Sequence, residues 1–325
     1  MNAIERRIDE LNRYRPDKNV PVDLDEFWQR TRNEAIHTSF ASERVEKKTN
    51  MSSNMKVFSV NYEGFADTRI HANLMLPVNA SEQQPCPCMI SFPGYTGDKG
   101  APEDYARFVM MGVAVLSVDV RGQGGGETGN RLGSSHGMTR GWVTEGILDI
   151  ERSYYKAIAV DALRAVTWIL KQPEIDSSRL GVMGASQGGS LTLLVTALHG
   201  GITMAIADIP GMCHMDYGVL HSVGTLSEVA DFCRRSPEKL DEILNTLSYF
   251  DNLNLADRIH VPLLMSVGLK DNVCFPEQIF PVYNSIASVD KKLEIYPFSG
   301  HVIEATQKKK WTEFISRQFF AHSEG

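Results

Sequence analysis

Two neighbouring segments near residue 60 carry the simplest pattern in the chain. Val57, Ser59 and Asn61 point one way, Phe58, Val60 and Tyr62 the other, and Arg69 to Leu76 repeats the alternation. With Gly64 and Asp67 between them, they predict an antiparallel hairpin. Short apolar runs follow at Cys88–Phe92, Val113–Val118, Leu180–Met183, Met204–Ala207, Leu263–Val267 and Leu293–Tyr296, as expected of strands covered on both faces. Between them lie segments with helical spacing: 103–110, 151–171, 188–198, 276–285 and 302–320. Strand alternating with helix predicts parallel βαβ units in one sheet, eight strands in all, with helices on both faces. Asp25 to Phe40 predicts a helix within an N-terminal extension over 1–50. One stretch breaks the rhythm: about 211–258, including helical segments at 220–233 and 237–247, reads as a small helical cap inserted over the carboxyl edge. The whole chain, 1–325, is then a single α/β domain.

Composition narrows the partners. The 325 residues carry 33 Lys and Arg against 40 Asp and Glu, a net charge of −7 without a basic block, which argues against nucleic acid. The start, Met1-Asn2-Ala3-Ile4-Glu5-Arg6-Arg7, has no apolar core of a secretory signal. The uncharged run from Gly181 to Ala207 is too rich in Gly, Ser and Gln for a lipid-spanning helix, so no membrane is expected. Five cysteines without framework spacing read as free thiols of a cytoplasmic protein. Cys86 and Cys88 are too close for a CxxC site.

The chemistry is concentrated in four loops. Gly184-Ala185-Ser186-Gln187-Gly188 follows a strand and opens a helix, the context of a nucleophile elbow. Glycines at 184 and 188 fit a turn too tight for side chains, and Ser186 stands at a helix amino end, where negative charge is favoured. A nucleophilic serine needs a base and an orienting acid, which in α/β-hydrolases follow in the order Ser, Asp/Glu, His. Asp271 comes just after the seventh strand and His301 just after the eighth, at carboxyl ends where open sheets place their sites. Rivals for the acid are Asp208, ending the sixth strand, and Glu304, one turn past His301. His37, His71, His199 and His322 read as structural or surface residues. An oxyanion hole needs two amides, assigned to Gln187 and to Tyr95, with Gly94 allowing close backbone approach. The glycine-rich Asp119–Gly126 segment lacks the Lys-Ser/Thr of a phosphate loop and reads as structural, with Arg121 tying adjacent loops together. His214-Met215-Asp216 stands isolated on the cap, so neither metal nor cofactor is expected.

Several of these motifs resemble a known family. The Arg121-Gly122-Gln123 loop, the Gly-x-Ser-Gln-Gly elbow, Leu247-Ser248-Tyr249-Phe250-Asp251, Met265 to Asp271, Tyr154-Tyr155 and Asp161 to Ala165 are similar to the acetyl xylan esterases and cephalosporin C deacetylases of carbohydrate esterase family seven. The resemblance implies an α/β-hydrolase fold and a cytoplasmic homohexamer with active sites facing an internal chamber. It implies a serine esterase removing acetyl groups from short acetylated xylo-oligosaccharides and related small esters, with Ser186, Asp271 and His301 as triad and the Tyr95 and Gln187 amides as oxyanion hole. Three departures adjoin the expected pocket: Val302 where the family has Glu, Ser91-Phe92-Pro93 before Gly94-Tyr95, and Gly211-Met212 after Pro210 where it carries a bulky aromatic. Pro210, Gly211 and Met212 are expected to line the substrate pocket, with Gly211 making room for a longer acyl chain. The alternatives are a longer-acyl carboxylesterase, a dienelactone-type or thioester hydrolase, and a catalytically silent binding module.

Overall fold

The computed structural model describes residues 1–132 and 141–321, so His322 lies outside the described residues. Its strands are β1 (Ser42–Lys47), β2 (Met55–Glu63), β3 (Arg69–Pro77), β4 (Cys86–Phe92), β5 (Ala114–Val118), β6 (Ile175–Ala185), β7 (Met204–Asp208), β8 (Leu263–Gly268) and β9 (Lys291–Tyr296). In space they run β1-β2-β3-β5-β4-β6-β7-β8-β9. Pairing is antiparallel from β1 through β3 to β5 and parallel from β5 across to β9. The fold is that of an α/β-hydrolase.

Among the described residues the sheet has nine strands rather than the expected eight. The extra one, β1, has the sequence Ser-Glu-Arg-Val-Glu-Lys and is exposed almost throughout, so no alternation of polarity marks it. Backbone pairing with Val57–Tyr62 makes it a strand, and its charges suit a solvent-facing edge. Arg44 braces it, with an ion pair to Glu174 at 2.8 Å and its guanidinium 3.8 Å above the Phe58 ring.

Among the described residues ten α-helices accompany the sheet: α1 (Ala3–Arg13), α2 (Leu24–Arg32), α3 (Ala106–Met110), α4 (Tyr154–Ile169), α5 (Gln187–Leu198), α6 (Met215–His221), α7 (Leu226–Arg235), α8 (Leu240–Phe250), α9 (Pro276–Ser285) and α10 (Ala305–Phe320). Helix α1 has one buried residue, Leu11, and is secured instead by an Asn2–Glu5 capping box. The helix expected over 25–40 is α-helical only to Arg32, and a π-helical turn, Asn33–His37, follows. The apolar side chains of the strands divide between two clusters. One, around Val57, Met75, Met89, Val115 and Met183, is covered by α3 and α10. The other, around Val60, Leu74, Ile90, Leu116 and Val182, is covered by α4 and α5. Every residue of α4 is buried, because α2 and α8 pack over its outer side.

Helices α6 to α8 lie between β7 and β8. The single helix expected over 220–233 is broken at 222–225, and the break has a cause. The Ser222 hydroxyl donates to the Val273 carbonyl at 2.7 Å, and the Val223 amide donates to the Asn272 carbonyl at 3.1 Å. This docks the α6–α7 joint onto the loop after β8.

Candidate active site

Strand β6 delivers the chain into the elbow, and Ser186 takes φ +56° and ψ −121°, a strained conformation for a residue with a side chain. The neighbours explain how it is enforced. A Cβ on Gly184 would strike the Gly188 backbone, and one on Gly188 would strike the Phe92 carbonyl. The Ser186 amide donates to the Asp208 carbonyl at 3.0 Å, fixing the turn to the end of β7.

The structure brings Ser186, His301 and Asp271 into one line. His301 Nε2 lies 3.0 Å from Ser186 Oγ, and His301 Nδ1 lies 2.8 Å from Asp271 Oδ2. Asp271 is almost fully buried, and its other oxygen accepts from the Val273 and Cys274 amides at 2.8 and 2.9 Å. An ionised carboxylate there has three donors, with the imidazole fixed in the tautomer that leaves Nε2 free to accept from the serine. The acid and histidine loops are joined by the Lys270 amide, which donates to the Ser299 carbonyl at 3.0 Å.

Neither rival for the acid reaches the histidine. Asp208 accepts from Gln307 Nε2 at 2.6 Å and from Trp311 Nε1 at 2.7 Å, anchoring α10 under the sheet edge. Burial pushes its pKa up to about 6, against the opposing pull of those hydrogen bonds. Glu304 accepts from the Ser299 hydroxyl. His199 sits beside the Thr167 hydroxyl, and burial lowers its pKa to about 4, so it is a neutral structural residue.

Around the nucleophile, Gln187 is the first residue of α5, so its amide has no carbonyl partner within the helix. The loop carrying Tyr95 comes close enough that a Cβ on Gly94 would stand 3.9 Å from the Ser186 Cβ. One side chain that the sequence marks only as part of the Arg121-Gly122-Gln123 motif, without a role, spans both halves. Gln123, 2% exposed, accepts from the Thr96 amide at 2.7 Å and from Gln187 Nε2 at 3.2 Å. Its own amide donates to Gln187 Oε1 at 2.9 Å and to the Tyr154 hydroxyl at 2.7 Å. Arg121, two residues earlier, is fully buried and binds Asp161 with two nitrogens at 2.7 and 2.8 Å, and also the Phe65 carbonyl. Glu228 on α7 accepts from the Tyr95 hydroxyl at 3.0 Å, and burial raises the pKa of that phenol.

A pocket opens beside Ser186 and Gln187. Gly211 and Met212 line it as expected, and a Cβ on Gly211 would stand 3.2 Å from Cys274 Sγ. Pro210 does not line it: the Ser190 hydroxyl accepts from the Gly211 and Met212 amides, both at 2.7 Å, and turns those two residues inward past the proline. Val302 does not line it either, because it is 52% exposed on the solvent side of the histidine loop. Val143, Tyr155, Ser190, Thr225, Leu226, Val273 and Cys274 complete the walls, and of these only Tyr155 belongs to a motif quoted from the sequence, without a role there. Burial raises the Cys274 thiol pKa, which keeps it a neutral wall residue. Among the described residues, no group of three or more His, Cys, Asp or Glu is arranged to hold a metal ion.

An acetyl esterase, Axe7A, of Xylanibacter ruminicola is 27% identical over 304 residues, which cover 91% of this chain and 66% of that protein, so the chain spans just under two thirds of that relative's length. The solved acetyl xylan esterase from Paenibacillus sp. R4 superposes with a TM-score of 0.91 at 32% identity, covering 96% of this chain and 99% of that one. Acetyl xylan esterase 1 from Thermoanaerobacterium sp. JW/SL YS485 gives 0.89 at 29% identity, covering 96% and 98%. The acetyl xylan esterase (AXE1) family model matches residues 1–318, and the chain belongs to that family.

Proposed function

We propose that the protein is a serine esterase that removes acetyl and other short acyl groups from acetylated xylo-oligosaccharides and related small esters, cephalosporin C among them. The observation that carries this reading is the line from Ser186 through His301 to the buried Asp271, set beside a pocket. In the proposed mechanism Ser186 Oγ attacks the ester carbonyl carbon while His301 Nε2 takes its proton. The oxyanion is held by the Gln187 and Tyr95 amides, and Asp271 stabilises the imidazolium. His301 then protonates the departing sugar oxygen, and the acetyl group stays on Ser186. Water, deprotonated by His301, attacks the acyl-enzyme; acetate leaves and the serine regains its proton. The leaving oxygen must lie at His301, which assigns the pocket on the Gln187 side, with Gly211 and Met212, to the acyl group.

No helix among the described residues is long and apolar enough to cross a membrane. The five thiols are all unpaired, which supports a cytoplasmic location. A homohexamer is proposed on family membership.

The test is kcat/KM for 4-nitrophenyl acetate against the hexanoate, with Ser186→Ala as blank, followed by acetate release from acetylated xylo-oligosaccharides. A strong acetate preference and release from the saccharide support the deacetylase reading. A flat or hexanoate-favouring profile removes it and leaves a longer-acyl carboxylesterase.

A further inference from the structure

Two adjacent tyrosines at the start of α4 are treated differently. The Tyr154 hydroxyl accepts from Gln123 at 2.7 Å and donates to the Arg121 carbonyl at 2.7 Å. The hydroxyl of Tyr155, a residue 2% exposed in the wall of the acyl pocket, has no hydrogen-bond partner among the described residues. Its ring lies stacked on Phe250 at 5.9 Å and 20°, which limits any swing toward a distant partner. A buried hydroxyl without a partner destabilises the folded state, and phenylalanine would build the same wall without that cost. A binding pocket can carry such a group because its partner arrives with the ligand.

The chemistry of that partner is restricted. The carbonyl oxygen of the ester is committed to the oxyanion amides and the alcohol oxygen to His301, so an acceptor for Tyr155 must sit on the acyl chain beyond the carbonyl. Burial raises the phenol pKa, and the nearby Tyr95 and Glu228 raise it further, so the hydroxyl stays protonated and can donate. That same surrounding disfavours an anionic acyl group, since Lys and Arg are missing from the described lining.

We propose that, besides acetyl, this pocket receives short acyl groups that carry a neutral ether, hydroxyl or keto oxygen beyond the carbonyl, with the Tyr155 hydroxyl as the donor that selects them. The proposal rests on the reading of Ser186 as nucleophile and of the adjoining pocket as the acyl side.

The experiment compares isosteric esters in wild type and Tyr155→Phe: 4-nitrophenyl methoxyacetate against butyrate, and 4-nitrophenyl 3-methoxypropionate against pentanoate. The ratio of kcat/KM, ether over alkyl, is taken within each enzyme, so the intrinsic activation of the ethers cancels between the two proteins. The expected result is a ratio lower in Tyr155→Phe by about threefold or more in at least one pair, as for loss of a hydrogen bond to a neutral ligand. A smaller change in both pairs, or no turnover of either ether by wild type while acetate is hydrolysed, overturns the proposal. So does a melting temperature of Tyr155→Phe lowered by more than about 3 °C, which would give the hydroxyl a structural partner instead. Failure of the underlying reading looks different: full acetate hydrolysis by Ser186→Ala, or none by wild type.

Discussion

Replacing Gln123 by alanine tests whether the proposed oxyanion hole is held as one unit. The side chain makes four hydrogen bonds in a site closed to solvent, two of them with the side-chain carboxamide of Gln187 and one with the backbone beside Tyr95. Truncation strands the Thr96 N–H and the Gln187 carboxamide, while the Tyr154 hydroxyl keeps its acceptor at the Arg121 carbonyl. At about 1–3 kcal/mol for each stranded group, the variant should lose about 2–6 kcal/mol of stability. Catalysis should suffer separately. Losing one oxyanion donor outright costs about 10²–10³ in kcat, and here both proposed donors are loosened rather than removed, so a fall of about 10–100-fold is expected. The developing oxyanion exists only in the transition states of acylation and deacylation, so kcat and kcat/KM should fall together. The assay is steady-state hydrolysis of 4-nitrophenyl acetate below the variant's own melting temperature, with circular dichroism to verify folding. A folded Gln123→Ala enzyme whose kcat/KM stays within about threefold of wild type would refute the reasoning.

The other predictions address the acid, the pocket and the buried carboxylates. Ser186→Ala should lose about 10⁴-fold or more in kcat for any ester, and retention above about a hundredth would remove the serine from its role. Asp271→Asn should be impaired by about 10⁴-fold because the wrong imidazole tautomer is favoured, whereas Glu304→Gln, which touches Ser299, should stay within about threefold; the reverse ranking would transfer the acid role. Gly211→Phe should lower kcat/KM for the hexanoate at least about tenfold more than for the acetate, since even a Cβ there meets Cys274 Sγ at 3.2 Å; equal losses would place the acyl chain elsewhere. Asp208 has a folded pKa of about 6 against 3.8, so the folded state holds its proton more tightly. Its contribution is fully present below pH 3.8 and is lost as pH rises through about 6, a change of about 3 kcal/mol. Urea unfolding of Asp208→Asn between pH 4 and 7 should therefore show the difference in stability from wild type shifting in the variant's favour as pH rises, and a constant difference would disprove the linkage.

What could be read from the sequence follows from where each signal resides. The elbow was legible because its constraint is steric and local: Gly184 and Gly188 are required within a few residues of the serine they frame. Asp271 and His301 were legible because parallel strands end in loops on one side of a sheet, so a residue just past a predicted strand is already placed. Strand β1 was not legible, since nothing in its exposed side chains depends on its being a strand; only the backbone of β2 does. The break at 222–225 was hidden for the same reason, because it depends on the Val273 and Asn272 carbonyls some fifty residues away. The pocket falls between these cases. Gly211 and Met212 were found, but their inward turn depends on Ser190, a helix residue whose hydroxyl serves two amides and whose type is unremarkable in the sequence. Gln123 and Tyr155 make the point sharper. Each looks like an ordinary member of a loop or a buried helix, and what distinguishes them is the partner each has or lacks across the fold. Residues that bond their own neighbours along the chain announce themselves in the sequence, while those that set the shape of the site through distant partners do so only once the sheet has brought the loops together.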